Sequence, residues 1–533
     1  MDVQRALSRY GWLLGLAVAL AIGLGLRLRG IHDPILDHPG WRQGDTAAIA
    51  RNFATLDFNI FHPQTDYDGP PPNYVELELQ IVPFLAALLY KMFGIHEIFG
   101  RLISIGFSLG TIAVAAYFAR WLFADTVAGI GAALAFAIYP GAFYYGRTFT
   151  PDTTMTFFLT AAVFAGTYWI VEDDGRPGRS LWIGAALGAA AMLAKPVALV
   201  GVVAVVVAAL WTRRAKAARN PWLWFYAVAA IAPYAAYDAY VRSIAEWHWA
   251  SGITRLHVLP ALGASFQSPA ALGAKLGAFW HALGMLADTM LGRAGFAVLA
   301  IAAITIGTGR GKSRCDAMLW SWLGAGLVYA YVVVTVERVD YYLYPLVPLA
   351  ALFTGGLAAV LWKATPPRWH PAAAVLAALA VAAAAWTGEH AVRPYYTYSK
   401  AVYRQTKALD ATLPANALIV MGHYDPSVLY YIGRKGWEED PYLWTPFDEE
   451  SAIAKGARWF IAIEPRRLQR NVELYAWLQR FRVADRAALW PVYETDPAKL
   501  LPGAEERWKA FRRAERASRH GSGSKDPAGA SGD

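Results

Sequence analysis

The stretch LWIGAALGAAAMLAKPVALVGVVAVVVAALWTRR, residues 181–214, decides how this chain is threaded. As one helix kinked at Lys195-Pro196 it crosses a bilayer once. As two short helices, 180–194 and 197–211, it makes a hairpin and returns to the side it left. Proline removes a backbone donor and ends or kinks a helix, so the local sequence permits both readings. The basic loops separate them. With a hairpin, Arg5 and Arg9, the cluster Arg213, Arg214, Lys216 and Arg219, and the cluster Arg310, Lys312 and Arg314 all face the cytoplasm, as the positive-inside rule requires. With one helix, the two strongest clusters move outside. The hairpin is therefore the expectation.

Composition supports the membrane setting. Of 533 residues, 56% are hydrophobic and the mean hydropathy is +0.29, more apolar than a soluble protein of this size. The 30 prolines and 22 tryptophans suit kinked spans and interfacial aromatics. Apolar stretches of spanning length fall near 10–28, 100–122, 126–146, 153–171, 180–194, 197–211, 221–241, 284–307, 316–336, 341–362 and 371–387. They predict a polytopic α-helical protein of about eleven transmembrane helices, its N-terminus cytoplasmic and its C-terminal region outside. Residues 1–29 resemble a signal peptide, but the apolar run ends in Arg27-Leu28-Arg29 with no small-residue cleavage site, so a retained first helix is expected. The net charge of +9 sits mostly in short loops and the C-terminal tail. No nucleic-acid-binding motif accompanies it, and no nucleic-acid partner is expected. Cys315 is the sole cysteine, which excludes a disulfide framework and a cysteine-based metal site.

The membrane domain is expected over 1–390, with a long first external loop at 30–99. Two stretches in that loop, 45–56 and 77–93, read as amphipathic helices on the membrane surface. A second external stretch, about 242–283, carries Trp247, His248, Trp249, His257 and Trp280. After about 390 the composition turns polar. The pieces ALIVMG (417–422) and ARWFIAI (457–463), with helical stretches at 426–432 and 466–481, predict a small extracytoplasmic α/β domain over 391–516. Residues 517–533, Gly/Ser-rich, read as a disordered tail. No internal repeat is visible.

The topology gathers chemistry on one face. Asp45, the turn Arg147-Thr148-Phe149-Thr150-Pro151-Asp152, Lys195 and the turn Glu337-Arg338-Val339-Asp340-Tyr341-Tyr342 all fall at external helix ends. Charged groups at membrane depth are costly and tend to mark function. Cations mixed with carboxylates suit a reaction with a phosphate leaving group, in which the cations hold the phosphate and a carboxylate takes a hydroxyl proton. Each element also has a plainer reading. Asp45 sits where it would N-cap a helix starting at Thr46, with Trp41, Arg42 and Gln43 as interfacial anchors. Pro151-Asp152 is a favourable helix start. Lys195 can snorkel from a helix end. Arg338 can pair with Glu337 or Asp340, and Tyr341 and Tyr342 can belong to an aromatic belt. Glu76 and Glu78 share a face only if extended. Asp66-Tyr67-Asp68 is a D-x-D pattern near His62, but one beside Gly69 and three prolines is more often a turn than a metal site. No cofactor is expected, and that pattern is the one divalent-metal candidate. His423 and Arg434 in the outer domain could touch substrate, although most such residues are merely solvated.

The ordered motifs WRQGDTAAIARNF (41–53), FGIHEIFGRLIS (93–104), RTFTPD (147–152), LAKP (193–196) and RVDYYLYPLVP (338–348) resemble the GT-C glycosyltransferases that use polyprenyl-phosphate sugars. The branch is that of the lipid A aminoarabinose transferases and bacterial protein O-mannosyltransferases, and the likeness threads residues 1 to about 390. It implies that Asp45 is the catalytic acid and Asp152 the second-loop acid. It also implies that Lys195, Arg338 and Tyr341 or Tyr342 contact the donor phosphate, with Arg147 a further candidate. Trp41, Arg42, Gln43, Glu78 and His62 become candidates for the substrate pocket. The expected partners are a polyprenyl-phosphate-linked sugar, an envelope lipid, glycan or protein acceptor, and the bilayer of a bacterial inner membrane with the site facing outward. The sequence departs from the aminoarabinose transferases in having Asp45-Thr46 for their Asp-Glu pair and ELELQIVP (76–83) for their Lys-Pro-Pro-Leu stretch. A polytopic transporter or lipid-linked sugar flippase is the alternative; such proteins often show repeats and discontinuous helices near mid-membrane. A scaffold whose outer domain binds envelope partners is the third reading.

Overall fold

A computed structural model of the chain describes residues 2–484 and 490–522. It divides into two compact units, one running to Pro63 and resuming over Tyr74–Tyr398, the other made of Gln64–Asn73 with the chain from Ser399. The first loop, expected to lie wholly in the membrane domain, therefore contributes a segment to the second unit.

In the first unit, α1 (Asp2–Arg27) leads to α2 (Gly40–Thr55), strand β1 (Val75–Glu76), α3 (Ile81–Phe93), α4 (Ile98–Phe123), α5 (Thr126–Ile138) and α6 (Pro140–Tyr145). Next come α7 (Asp152–Val171), α8 (Arg179–Ala194), α9 (Leu199–Arg213), the single turn α10 (Ala215–Ala218) and α11 (Pro221–Ile244). Strand β2 (Trp247–His248) pairs in parallel with β1 and ties the second external stretch to the first loop. The short helices α12 (Trp249–Gly252) and α13 (Leu259–Ala264) precede α14 (Pro269–Met285), α15 (Gly292–Gly307), α16 (Asp316–Tyr329), α17 (Thr335–Glu337), α18 (Val347–Ala364) and α19 (His370–Val392).

The hairpin at Lys195 forms. Lys195 is extended (φ −170°, ψ 128°) between α8 and a turn at Pro196–Ala198. Its ammonium reaches Asp152, where α7 begins, and Arg213 at the end of α9 donates to the carbonyl of Ile170, near the end of α7. α9 thus lies along α7 with its start at Asp152 and its end at Ile170. Because α8 leaves from the loop after α7 and ends at Lys195, it runs the opposite way.

The expected count of eleven is not reached on helix length and apolarity alone. Among the described residues seven helices are long and apolar enough to cross a membrane, or eight with one bent pair. The difference lies at four stretches. The stretch 126–146 breaks at Tyr139-Pro140, and α8 is short. α11 carries Pro233 inside and Asp238 and Arg242 near its end. The stretch 284–307 belongs to a pair bent by 114° at Gly292, whose φ of +73° a side chain would resist.

α2 also departs from expectation. It begins at Gly40, five residues before Asp45, and every residue from Gln43 to Ala50 is buried. Two full turns are enclosed all round, because Gly44, Ala47, Ala48 and Ala50 let neighbours approach every face. It is a core helix and not an amphipathic surface one. α3 does bury one side, through Val82, Ala86 and Tyr90, and leaves Leu88 and Met92 exposed.

The second unit is α/β. Its sheet has the order β4-β3-β5-β7-β6. Strands β3 (Leu418–Met421), β4 (Lys435–Glu438) and β5 (Ala457–Ile461) are parallel; β6 (Arg482–Val483) and β7 (Val492–Glu494) pair antiparallel at the edge. The helices are α20 (Lys400–Thr412), α21 (Pro426–Ile432), α22 (Pro446–Ala454), α23 (Pro465–Arg470), α24 (Val472–Leu478) and α25 (Ala504–Ser522). α25 continues past position 517, where the tail was expected to begin; its first turn holds Glu505 and Glu506, which suit the helix dipole. The rest of that expected tail, 523–533, lies outside the described residues.

Candidate active site

Lys195 sits at the centre of the site. The helical ladder stops at Ala194, and the extended residue that follows sends its ammonium inward. Nζ lies 2.6 Å from Asp152 Oδ1, and the two residues are 7% and 2% exposed. The same ammonium lies 4.9 Å from the ring centres of both Tyr341 and Tyr342. Cation–π attraction and an ion pair thus hold one lysine from two directions. A snorkelling lysine would be exposed, and this one is not.

Asp152 opens α7 as its sequence suggested, yet Pro151 is the capping position and makes no side-chain cap bond. The carboxylate points to Lys195 instead. Asp45 is buried in the second turn of α2 and is not an N-cap. One turn earlier on the same face, Arg42 forms an ion pair with Glu78. Burial works against the charged form of Arg42, but Glu78, Asp45, Tyr341 and Asp152 around it more than offset this and raise its pKa. Arg42 therefore joins Asp45 and Glu78 to the Asp152–Lys195 pair, and five expected site residues share one cluster.

Other candidates go elsewhere. Arg147 is fully buried on Asp37, whose second oxygen takes Arg101 at 3.0 Å, and its guanidinium lies over the rings of Tyr144 and Tyr396. A cation so committed pins the first loop to the end of α6. Gln43 does similar work: its amide donates to Asp37 at 2.8 Å, and its carbonyl accepts the Phe149 N–H at 3.1 Å. Trp41 packs edge-on to Trp249, and His62 bonds Asp57 at 2.6 Å and lies 2.9 Å from the Tyr240 hydroxyl. Asp66 pairs with Lys435 inside the second unit, where Asp68 also lies. Among the described residues no three His, Cys, Asp or Glu side chains gather as a metal site. Arg338 is exposed at a left-handed position (φ 52°). Its two sequence-expected partners are engaged elsewhere: Glu337 faces His257 at 3.4 Å, and Asp340 accepts from Tyr145 (2.5 Å), Thr289 (2.7 Å) and Tyr395 (2.7 Å). Glu76 and Glu78 diverge, Glu76 accepting from the Ser251 N–H at 3.0 Å.

Sequence reasoning missed Asp37, Arg101 and the hydroxyl cage of Asp340. Arg101 gave one signal, a charge in the first turn of an apolar helix, which at that depth requires a partner.

Residues 80–237 match the family profile of dolichyl-phosphate-mannose-protein mannosyltransferases, a segment holding Asp152 and Lys195. A comparison with curated protein sequences gives no significant match. Among solved structures, the oligosaccharyltransferase AglB of Archaeoglobus fulgidus, in complex with an inhibitory peptide and a dolichol-phosphate, superposes with a TM-score of 0.55 at 12% identity, over 93% of this chain and 75% of that one. ArnT of Cupriavidus metallidurans superposes in its apo state with a TM-score of 0.52 at 16% identity, over 93% of this chain and 99% of that one. Bound to undecaprenyl phosphate, ArnT gives 0.55 at 16% identity, over 92% and 99%. The chain is a multi-pass membrane protein with the fold of the GT-C glycosyltransferases.

Proposed function

We propose that this protein is a glycosyltransferase that moves a sugar from a polyprenyl-phosphate donor to a hydroxyl-bearing envelope acceptor, at the outer face of a bacterial inner membrane. The observation that carries the reading is the cluster of a half-buried Arg42 with the buried Asp45, Glu78, Asp152 and Lys195 at one end of the spanning helices. Carboxylates and cations packed together suit a step in which an anion leaves while a proton is taken up. That ArnT has been seen with undecaprenyl phosphate and AglB with a dolichol-phosphate supports a lipid-phosphate donor here.

The reaction is a single displacement. The acceptor oxygen attacks the anomeric carbon, the bond from that carbon to the phosphate oxygen breaks, and configuration inverts. The acceptor proton passes to Asp45, and the polyprenyl phosphate leaves with the bonding electrons. Lys195 meets the developing phosphate charge, Tyr341 and Tyr342 flank it, and Asp152 orients Lys195. Arg42, held by Glu78, steadies Asp45. Arg338, exposed nearby in sequence to these tyrosines, is a second phosphate contact. Arg147 is a structural cation in this scheme. A flippase would need a polar path through the bilayer centre, whereas these charges collect at helix ends.

The test is Asp45→Asn. A general base contributes about 10²–10⁴-fold, so the purified variant should lose transfer from a panel of polyprenyl-phosphate sugars while keeping its unfolding temperature. Wild-type transfer by this variant would refute the assignment.

A further inference from the structure

A cavity of about 580 Å³ lies at the far end of the helices that carry Asp152 and Lys195, and the reaction above makes no use of it. α7 has 20 residues, so at 1.5 Å each its two ends are about 30 Å apart, the thickness of a bilayer's hydrocarbon core. Asp152 is at one end, and Ile170 and Val171 in the cavity wall are at the other. Three tryptophans mark the depth. Trp182 opens α8, Trp211 closes α9 and Trp224 opens α11, all at this end of the bundle and 51%, 58% and 48% exposed. Tryptophans so placed sit at the headgroup level of a membrane.

The cavity is unequal in charge. It is lined by four cations, Arg213, Arg214, Lys216 and Arg314, against one acid, Asp174. Two cations are already matched: Arg213 pairs with Asp174 at 2.7 Å, and Arg314 with Glu172 at 2.6 Å. Arg214 and Lys216 are exposed and make no ion pair among the described residues. Arg214 is moreover held at φ 50°, ψ −128°, a conformation L side chains rarely adopt. Two unmatched cations beside Ile170 and Val171, at the level of three exposed tryptophans, fit a ligand that is anionic at one end and apolar at the other.

We propose that this cavity binds the phosphate of an anionic phospholipid headgroup from the leaflet opposite the Asp152–Lys195 site. Basic pockets between spanning helices recognise such headgroups through the charge of their Lys and Arg side chains. The tryptophan belt, with Ile170 and Val171 at the same depth, favours a lipid over a soluble phosphate. The inference stands on the cavity alone and does not depend on the transfer reaction.

The test uses the purified full-length chain, stripped of lipid in neutral detergent and titrated with dioleoylphosphatidylglycerol, dioleoylphosphatidylcholine or inorganic phosphate, with bound species counted by native mass spectrometry. The variant is Arg214→Gly with Lys216→Ala; both positions are exposed, and glycine accepts the positive φ. The phosphatidylglycerol should bind the wild type more tightly than the phosphatidylcholine. The double variant should lose about 30-fold in that affinity, from two interfacial cations, and keep its unfolding temperature. Equal affinity for the two lipids, or an unchanged double variant, would overturn the proposal. Displacement of the lipid by millimolar inorganic phosphate would overturn the lipid source.

Discussion

Replacing Lys195 separates what the buried ion pair does for folding from what it does for the donor. Nζ and Asp152 Oδ1 are 2.6 Å apart with almost no solvent around either. Removing one partner of such a pair leaves an uncompensated buried charge and costs about 3–5 kcal/mol. Lys195→Met and Asp152→Asn should each lower the unfolding temperature accordingly. The double variant, with neither charge, should be more stable than either single one, and a double-mutant cycle measures that coupling. Donor binding should behave differently. A hydrogen bond to a charged group is worth about 1.5–3 kcal/mol, so losing Lys195 should weaken a polyprenyl-phosphate sugar about 10–150-fold. Restoring stability in the double variant should not restore affinity. Thermal unfolding in detergent and a donor titration on the same four proteins decide the matter. A double variant that binds donor as tightly as Asp152→Asn alone would show the pair to be a structural strut, and the phosphate assignment of Lys195 would fall.

Asp37→Ala should strand two fully buried guanidiniums, those of Arg101 and Arg147, and destabilise by at least about 3–5 kcal/mol, read as loss of folded protein on size-exclusion chromatography. Arg338→Ala, at an exposed position, should leave unfolding unchanged and weaken donor binding; unchanged binding removes it from the site. In the second unit, burial pushes the Glu449 carboxyl up to about 8, against an accepted hydrogen bond from Trp444. The folded state then holds a proton that the unfolded state gives up from about 4.5 upward. Stability from this group is full below about 4.5 and is lost as pH rises through about 8. Glu449→Gln should flatten that decline in a pH series of unfolding temperatures.

What the sequence disclosed followed from constraints that act locally or on whole loops. Pro196 frees backbone groups, the basic loops choose a side, and together they bring Lys195 to Asp152 across a sequence separation of 43. The doublet Tyr341-Tyr342 came along because it sits at the same end of its helix. The ion pairs made through folding were not legible. Arg42 finds Glu78 at a separation of 36 residues and Arg147 finds Asp37 at 110, and nothing in the spacing of a sequence marks such partners. Arg147 sits in sequence beside the site turn, yet its charge is taken by Asp37 of the first loop. α2 misled for another reason. Its small residues look like a weakly amphipathic helix, but in a crowded loop small residues allow burial on all sides.

Counting charge at the site explains why Lys195 can serve two anions. Three carboxylates, Asp45, Glu78 and Asp152, gather with two cations, Arg42 and Lys195. The free site is short of positive charge by one, a poor receptor for phosphate if each cation had to leave its carboxylate. They need not leave. An ammonium has three donors and a guanidinium five, so Lys195 can keep Asp152 on one N–H and meet the phosphate with another. The carboxylates then act as fixed holders that keep the cations aimed before the donor arrives. An added anion beside a carboxylate favours its taking up a proton. Donor binding therefore strengthens Asp45 as the proton acceptor at the moment the acceptor hydroxyl must be deprotonated. On this account the order of binding is donor first. Replacing Asp152 by Asn, which keeps a hydrogen-bonding group but removes its charge, should tighten donor binding while lowering the rate of transfer. Looser donor binding together with an unchanged rate would contradict it.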